Sequence, residues 1–148
     1  NLNTRIVRIF NTYGPGMDPQ DGRVMTNFLV NTINKHPLVI YGNGSQTRSF
    51  CYIDDMIDAL LKTMNFDFDF PINLGSDYEV SLNQLTEILF DKFGKNKINY
   101  TKSNADDPKV RKPDITRAKD ILNWTPKVSI STGIDNTYNY LKNHAKIN

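Results

Sequence analysis

Cysteine occurs once in the 148 residues, at Cys51, so no disulfide can close within the chain, and a reducing compartment is expected. The two histidines lie far apart, which argues against a His/Cys zinc site. No apolar run approaches the roughly 20 residues of a membrane-spanning helix, and no secretory leader is visible. The cytoplasm is the default expectation. Neither sign of charge dominates: 18 Lys and Arg against 16 Asp and Glu give +2, with no long basic block to favour nucleic acid. Internal repeats and low-complexity tracts are absent as well. What is present, 39% apolar and 23% charged residues, is ordinary for a globular domain with a real core.

The chain opens Asn1-Leu2-Asn3, without an initiator Met, and enters an apolar run at once. Residues 5–10 are rich in β-branched side chains and interrupted by Arg8. Such a run suits a strand buried on both faces of a parallel sheet. A strand of that kind needs neighbours on both edges, and little of the sequence can supply them. The expectation is therefore the back half of a larger protein. The run stops on Asn11-Thr12-Tyr13-Gly14-Pro15, a turn signature. In open α/β sheets, ligands lie beyond the carboxyl ends of the strands. Asn11 and Tyr13 are thus placed for chemistry, although an asparagine there can equally tie down its own turn.

Along the chain, strands alternate with helices, which means α/β. Residues 14–22 form a loop, and Asp21 is positioned to cap a helix whose Val24, Met25, Phe28, Leu29, Thr32 and Ile33 share one face before Pro37. Residues 38–41 read as a strand, 42–47 as a loop and 48–52 as a second extended run. Asp54 or Asp55 starts a helix with Ile57, Leu60, Leu61 and Met64 at core spacing. Residues 70–74 are a strand, and Ser81 with Gln84 forms a capping box ahead of Leu82, Leu85, Leu89 and Phe93. Residues 98–100 are extended, and 102–113 are polar without periodicity. Asp114 caps a short helix, and a last helix follows Ser131 with Ile134, Tyr138, Leu141 and Ala145 as its stripe.

Two motif matches fail on context. Gly42-Asn43-Gly44 opens like a dinucleotide fingerprint but lacks the third glycine and the helix N-terminus that binds the phosphates. Tyr138 and Lys142 have the Tyr-x-x-x-Lys spacing of short-chain dehydrogenases, yet Tyr138 belongs to the apolar stripe of a terminal helix. The 42–48 loop keeps another possibility. Its glycines admit a close ligand, Arg48 can fork onto phosphate, and Tyr41 offers a flat face to a base. A hairpin turn with an exposed arginine fits the same residues. Around Arg111, a mixed-charge loop is either solvated surface or, held by Pro108 and Pro113, a defined anchor.

Six motifs in order carry a resemblance that covers essentially the whole chain. They are Asn11-Thr12-Tyr13-Gly14-Pro15, Asp21-Gly22-Arg23-Val24, the run 39–50 (Val-Ile-Tyr-Gly-Asn-Gly-Ser-Gln-Thr-Arg-Ser-Phe), Ile72-Asn73-Leu74-Gly75, the run 106–114 (Asp-Asp-Pro-Lys-Val-Arg-Lys-Pro-Asp) and Leu122-Asn123-Trp124-Thr125-Pro126. Together they resemble the C-terminal half of extended short-chain dehydrogenase/reductases acting on nucleotide sugars, and most of all the UDP-glucuronate decarboxylases. The resemblance implies a Rossmann-type α/β fold, with residues 1–13 as the last strand region of the cofactor-binding sheet. Residues 14–148 would be mainly the small α/β substrate-binding domain, with 53–75 packing back on the sheet. It also implies that the glycine-rich NAD loop and the catalytic tyrosine and lysine belong to an N-terminal half outside this chain.

Residue roles carry over in the same way. The resemblance places Asn11, Arg23, Val24, Tyr41, Gln46, Arg48, Asp107 and Arg111 against a UDP-sugar, with Ile9 and Thr12 approaching the nicotinamide of NAD. Within that set Tyr41 meets the uracil, Gln46 and Asp107 the ribose, and Arg48 the diphosphate. The resemblance implies no catalytic residue in this chain, with Arg111 as an active-site contact near phosphate or the sugar carboxylate. The implied reaction converts UDP-glucuronate to UDP-xylose and carbon dioxide through a 4-keto intermediate, with no metal, in a homodimeric intact enzyme. The chain alone would be inactive. Related alternatives are a UDP-sugar 4-epimerase, a dTDP-sugar 4,6-dehydratase, or a non-catalytic nucleotide-sugar-binding module. One position departs from the pattern: the decarboxylases usually carry arginine where this chain has Gly16.

Overall fold

Parallel pairing dominates the computed structural model, which describes residues 4–102 and 110–144. Strand β1 (Val7–Ile9) pairs in parallel with β6 (Ile72–Leu74), Val7 opposite Ile72 and Ile9 opposite Leu74. Strand β2 (Thr12–Tyr13) runs parallel to β5 (Cys51–Tyr52), and β3 (Leu38–Tyr41) runs parallel to β8 (Ile98–Thr101). A mixed sheet has β4 (Thr47–Ser49) at its centre, antiparallel to β7 (Glu79–Ser81) and parallel to β9 (Val110–Arg111). Parallel partners require crossovers. These are carried by α1 (Val24–Ile33), α2 (Ile53–Asn65) and α3 (Leu82–Phe93), with α4 (Thr116–Leu122) and α5 (Ile130–His144) completing the chain. The fold is α/β, as the alternation of elements predicts.

Two apolar clusters hold these elements. In the first, Met25, Phe28 and Leu29 of α1, Leu38 and Ile40 of β3, Leu85 and Leu89 of α3 and Ile134 and Leu141 of α5 surround Tyr13 and Tyr52. The second packs Cys51, Met56, Ala59, Ile72 and Leu74 against Ile115, Ala118, Leu122 and Trp124. Burial raises the Cys51 thiol to about 12, with the nearby Asp55 carboxylate adding to the shift, so this cysteine is an inert core residue.

Several expectations need correction. Strand β1 is not buried on both faces: Ile9 is 57% exposed, Ile6 is exposed too, and among the described residues only β6 pairs with it. The expected apolar stripe of α2 divides: Leu60 packs against the second cluster, and the rest of the stripe faces outward. Ile57, Leu61 and Met64 are exposed, while Asp55, Met56, Ala59 and Thr63 make the buried face. The smaller side chains at 59 and 63 let the helix settle closely onto the second cluster. Helix α2 begins at Ile53 with no side-chain cap, and Asp55 instead accepts the backbone N–H groups of Lys127 (3.0 Å) and Val128 (2.9 Å). Asp21 does not cap α1. It turns back on Arg23, accepting its backbone N–H at 2.9 Å and its Nε at 2.7 Å. Helix α5 starts at Ile130, and Ser129 rather than Ser131 accepts the backbone N–H of Thr132.

Other local signals act as expected. Ser81 accepts from the Gln84 amide while the Gln84 side chain accepts from the Ser81 amide, a complete capping box on α3. Asp114 accepts the Thr116 N–H at the start of α4. The 42–47 loop is not a hairpin, because β3 and β4 belong to different sheets.

Candidate functional site

Beyond β2, and between α1 and the β3–β4 connection, lies a cleft of about 470 Å³. Asn11, Thr12, Arg23, Val24, Tyr41, Gln46, Arg48 and Arg111 all line it. These eight come from four separate stretches of chain, brought together by the parallel register of the strands. Ile9 lies in an adjoining recess that shares Asn11 and Arg111 with the cleft. Asp107 lies outside the described residues.

Each side chain is set by its element. Asn11 lies between β1 and β2, and its carbonyl accepts the Cys51 N–H at 3.0 Å, which extends the β2–β5 pairing back to the end of β1. Its side chain makes no hydrogen bond among the described residues, so it does not tie down the turn. Thr12 donates its hydroxyl to the Phe10 carbonyl at 3.1 Å. Tyr13, next in line, is buried against Tyr52 and Phe50 in edge-to-face contacts, and burial pushes its phenol far above the usual range.

The start of α1 opens on the cleft through Gly22, Arg23, Val24 and Met25. No side chain caps this end and no acidic residue sits in its first turn. Its leading N–H groups therefore add positive potential to that wall. The Arg23 guanidinium is held by Asp21 and reaches the Thr12 carbonyl at 3.4 Å.

On the opposite wall, Val39 and Tyr41 alternate outward from β3 while Leu38 and Ile40 point into the core. Tyr41 is 52% exposed and presents its ring to the cleft, and its carbonyl accepts from Gln46 Nε2 at 2.6 Å. Arg48 is buried at the centre of the mixed sheet, with its guanidinium donating to the Thr47 carbonyl. Arg111 stands opposite Arg48 in the β4–β9 register, on the same sheet face. Glu79, the Thr47 neighbour across the sheet, has its carboxyl lowered chiefly by the Thr47 hydroxyl bond and then by Lys112, and is not a cleft residue.

The cleft contains residues that the sequence reading did not single out. Asn27 and Asn31 line it one helical turn apart on α1, with Asn27 donating to the Gly22 carbonyl. Their i, i+4 spacing, continued from Arg23, was the available signal. Met17, Phe28, Phe50 and Leu82 supply apolar floor. Gly16 lies in the loop at φ +87° with open space around it. Tyr138 and Lys142 are not in the cleft: the Tyr138 ring stacks on Phe93 at 3.8 Å, with Lys142 Nζ 6.0 Å from its centroid. Among the described residues, no cluster of His, Cys, Asp or Glu is placed to hold a metal ion, and no helix is long and apolar enough to cross a membrane.

The cleft lies beyond the ends of parallel strands, where open α/β sheets place their ligand sites. A sequence model of the NAD dependent epimerase/dehydratase family matches residues 1–75. UDP-glucuronic acid decarboxylase 1 of Arabidopsis thaliana is 46% identical over 134 residues, which is 90% of this chain and 31% of that protein. Its Xenopus tropicalis counterpart is 38% identical over 142 residues, 95% of this chain and 34% of that one. Among solved structures, a UDP-glucuronic acid 4-epimerase from Bacillus cereus, in complex with UDP-glucuronic acid and NAD, superposes with a TM-score of 0.87 at 31% identity. That match covers 95% of this chain and 46% of the epimerase. This chain belongs to the NAD dependent epimerase/dehydratase family, and its fold is that of the Rossmann-type enzymes in it. It spans about a third of the length of these curated relatives.

Proposed function

We propose that this chain is the nucleotide-sugar-binding part of an NAD-dependent UDP-glucuronate decarboxylase. The observation that carries the reading is the arrangement of the cleft. Tyr41 offers a flat wall for a base, and two arginines in strand register follow at the distance of the next strand. Arginine forks suit the oxygens of a diphosphate, and the uncapped start of α1 adds N–H groups on the facing wall. In this reading uracil lies against Tyr41, and the ribose lies near Gln46 and Asp107. The diphosphate is held by Arg48 and Arg111, with Arg23 and Val24 closing the other side. The sugar extends toward Asn11 and the recess of Ile9, where Arg111 faces its carboxylate.

NAD fits the chain along one edge only. Ile9 and Thr12 give a small apolar and polar surface beyond β1. The Gly42–Gly44 loop is no dinucleotide cradle, because it leads into strand β4 and not into the helix N-terminus that would hold the phosphates. The rest of the NAD site and the proton-transferring side chains are assigned to a part of the enzyme outside this chain. Residues 1–13 then form the seam with that part, and 14–148 form mainly the substrate domain. When bound, NAD would supply reversible hydride transfer at the sugar, with Ile9 and Thr12 as the residues of this chain beside it. The residues of this chain bind and orient the nucleotide sugar so that its C4 and carboxylate are presented together; a ketone at C4 stabilises the carbanion left as carbon dioxide departs. The support for a decarboxylase is the identity to relatives of that name over 90% of this chain.

Titrating UDP, dTDP and GDP into the chain by calorimetry tests the binding claim. UDP is expected to bind most tightly, and equal or absent binding would sink it. A second reading, a UDP-sugar 4-epimerase, is favoured by the 0.87 TM-score to an epimerase and by Gly16 where decarboxylases carry arginine. Product analysis with the intact enzyme separates the two, since only a decarboxylase releases carbon dioxide.

A further inference from the structure

We infer that Asn83, outside the cleft, is a positioning residue that sets the spacing between the base-binding and phosphate-binding walls; the inference rests on the cleft being a nucleoside diphosphate site. The 42–46 loop joins Tyr41 to β4 and therefore fixes how far the Tyr41 ring stands from Arg48. Its backbone is fastened to the first turn of α3. The Leu82 N–H donates to the Gln46 carbonyl at 3.2 Å, and the Asn83 N–H donates to the Gly44 carbonyl at 3.1 Å. The Asn83 side chain adds a third bond, Nδ2 to the Asn43 carbonyl at 3.1 Å. Inside the loop, Asn43 Oδ1 accepts from the Ser45 N–H and hydroxyl, and Gln46 Nε2 closes back on Tyr41.

The fit around Asn83 is close. Its Oδ1 is buried without a hydrogen-bond partner among the described residues. A Cβ on Gly44 would overlap that oxygen, and Gly44 has φ +76° besides. The side chain is thus wedged against the one glycine of the loop that leaves room for it. The capping box of Ser81 and Gln84 holds the same helical turn from the other side. The start of α3 is therefore a rigid post, and Asn83 is the side chain that joins the loop to it.

A ligand with two linked parts gains affinity when its two subsites are correctly spaced, through effective concentration. Changing the spacing costs affinity for the linked ligand while leaving each part nearly unaffected. Asn83→Asp separates this role from general stability. It sets a carboxylate oxygen against the Asn43 carbonyl, yet an acidic residue in the first turn favours the α3 helix.

The experiment measures UDP, uridine and inorganic pyrophosphate binding to the 148-residue chain and to its Asn83→Asp variant, with thermal unfolding of both. The expected result is UDP affinity reduced by about tenfold and uridine and pyrophosphate affinities within about twofold of the parent, with thermal unfolding showing both proteins folded at the assay temperature. Gly44→Ala should also weaken UDP binding, and should do so less in an Asn83→Ala background, where the blocking oxygen is gone. Unchanged UDP affinity in Asn83→Asp, or equal losses for all three ligands, would overturn the positioning role alone. Absent UDP binding by the parent chain would overturn the reading of the cleft together with it.

Discussion

Arg48 and Arg111 face each other across the parallel β4–β9 pair, two cations in direct register on one sheet face that opens on the cleft. Like charges at such positions disfavour pairing, and a bound dianion between them reverses the sign of that interaction. Arg111 is exposed on a two-residue strand, so Arg111→Ala should change thermal stability little. It should lower UDP affinity by about 1.5–3 kcal/mol, the range for hydrogen bonds to charged groups, and the loss should shrink as salt is raised. Calorimetry at two ionic strengths reads both effects. An unaltered affinity would return Arg111 to the solvated surface.

Asn11 offers a cleaner separation of binding from folding. Its structural contribution is a backbone carbonyl bonded to Cys51, which any residue provides. Asn11→Ala should therefore leave Tm unchanged. It should leave UDP affinity unchanged as well, and weaken UDP-glucuronate by about 0.5–1.5 kcal/mol, the net value of one hydrogen bond. Parallel titrations of the two ligands into the variant give the difference directly. An equal loss for both would move Asn11 from the sugar to the nucleotide.

What was readable in advance depended on how local the cause is. The Ser81–Gln84 capping box is set by residues a few positions apart and lies where sequence places it, whereas Thr12 and Tyr13, read as part of a turn, form β2 because their partner β5 lies some 40 positions further on. Periodicity announced an amphipathic α2 but carried no sign of which face would be inward. Ala59 and Thr63 lie on the face that packs toward β2 and α4, and those neighbours are supplied only by the packed structure. The same holds in the cleft. Single motifs named Tyr41, Arg48 and Arg111 as separate candidates. The register that sets two of them side by side, and the bond from Asn83 to a loop 40 positions earlier, are tertiary facts. Asp21 and Asp55 were read as caps because their type and place fit, yet each satisfies a non-helical N–H instead.

Gly133 tests how firmly α5 supports the turn that carries Asn11. A Cβ at this position would overlap Tyr13 Oη, with Tyr13 Cζ at 2.8 Å and Tyr52 Cδ2 at 2.9 Å. Both rings are buried and wedged against each other, so neither can swing aside cheaply. Gly133→Ala should destabilise by about 1–3 kcal/mol, as overpacking does, despite the higher helix propensity of alanine. Denaturant unfolding measures it. A stabilised variant would mean that α5 can shift outward without disturbing Tyr13.

The outward faces of β1 and α2 make a prediction about association. Ile9 is exposed on β1 and Ile6 just ahead of it, and β1 has a partner on one edge only among the described residues; such edges template pairing with another chain. Ile57, Leu61 and Met64, spaced four and three residues apart, add an apolar stripe on α2, with Met64 77% exposed. The Arg5 side chain donates to the Phe66 carbonyl at 2.8 Å, which brings the start of β1 and the end of α2 together. Apolar area gathered in this way usually marks a contact surface. The isolated chain should therefore sediment with a concentration-dependent mass. Paired Leu61→Lys and Met64→Lys substitutions should suppress that dependence while leaving UDP affinity intact, because neither residue lines the cleft. A sharp, concentration-independent monomer would show that the exposed stripe and open edge are too small to drive association. If instead the lysines leave association unchanged, the edge of β1 is the surface responsible, and a charge introduced at Ile9 should then abolish it.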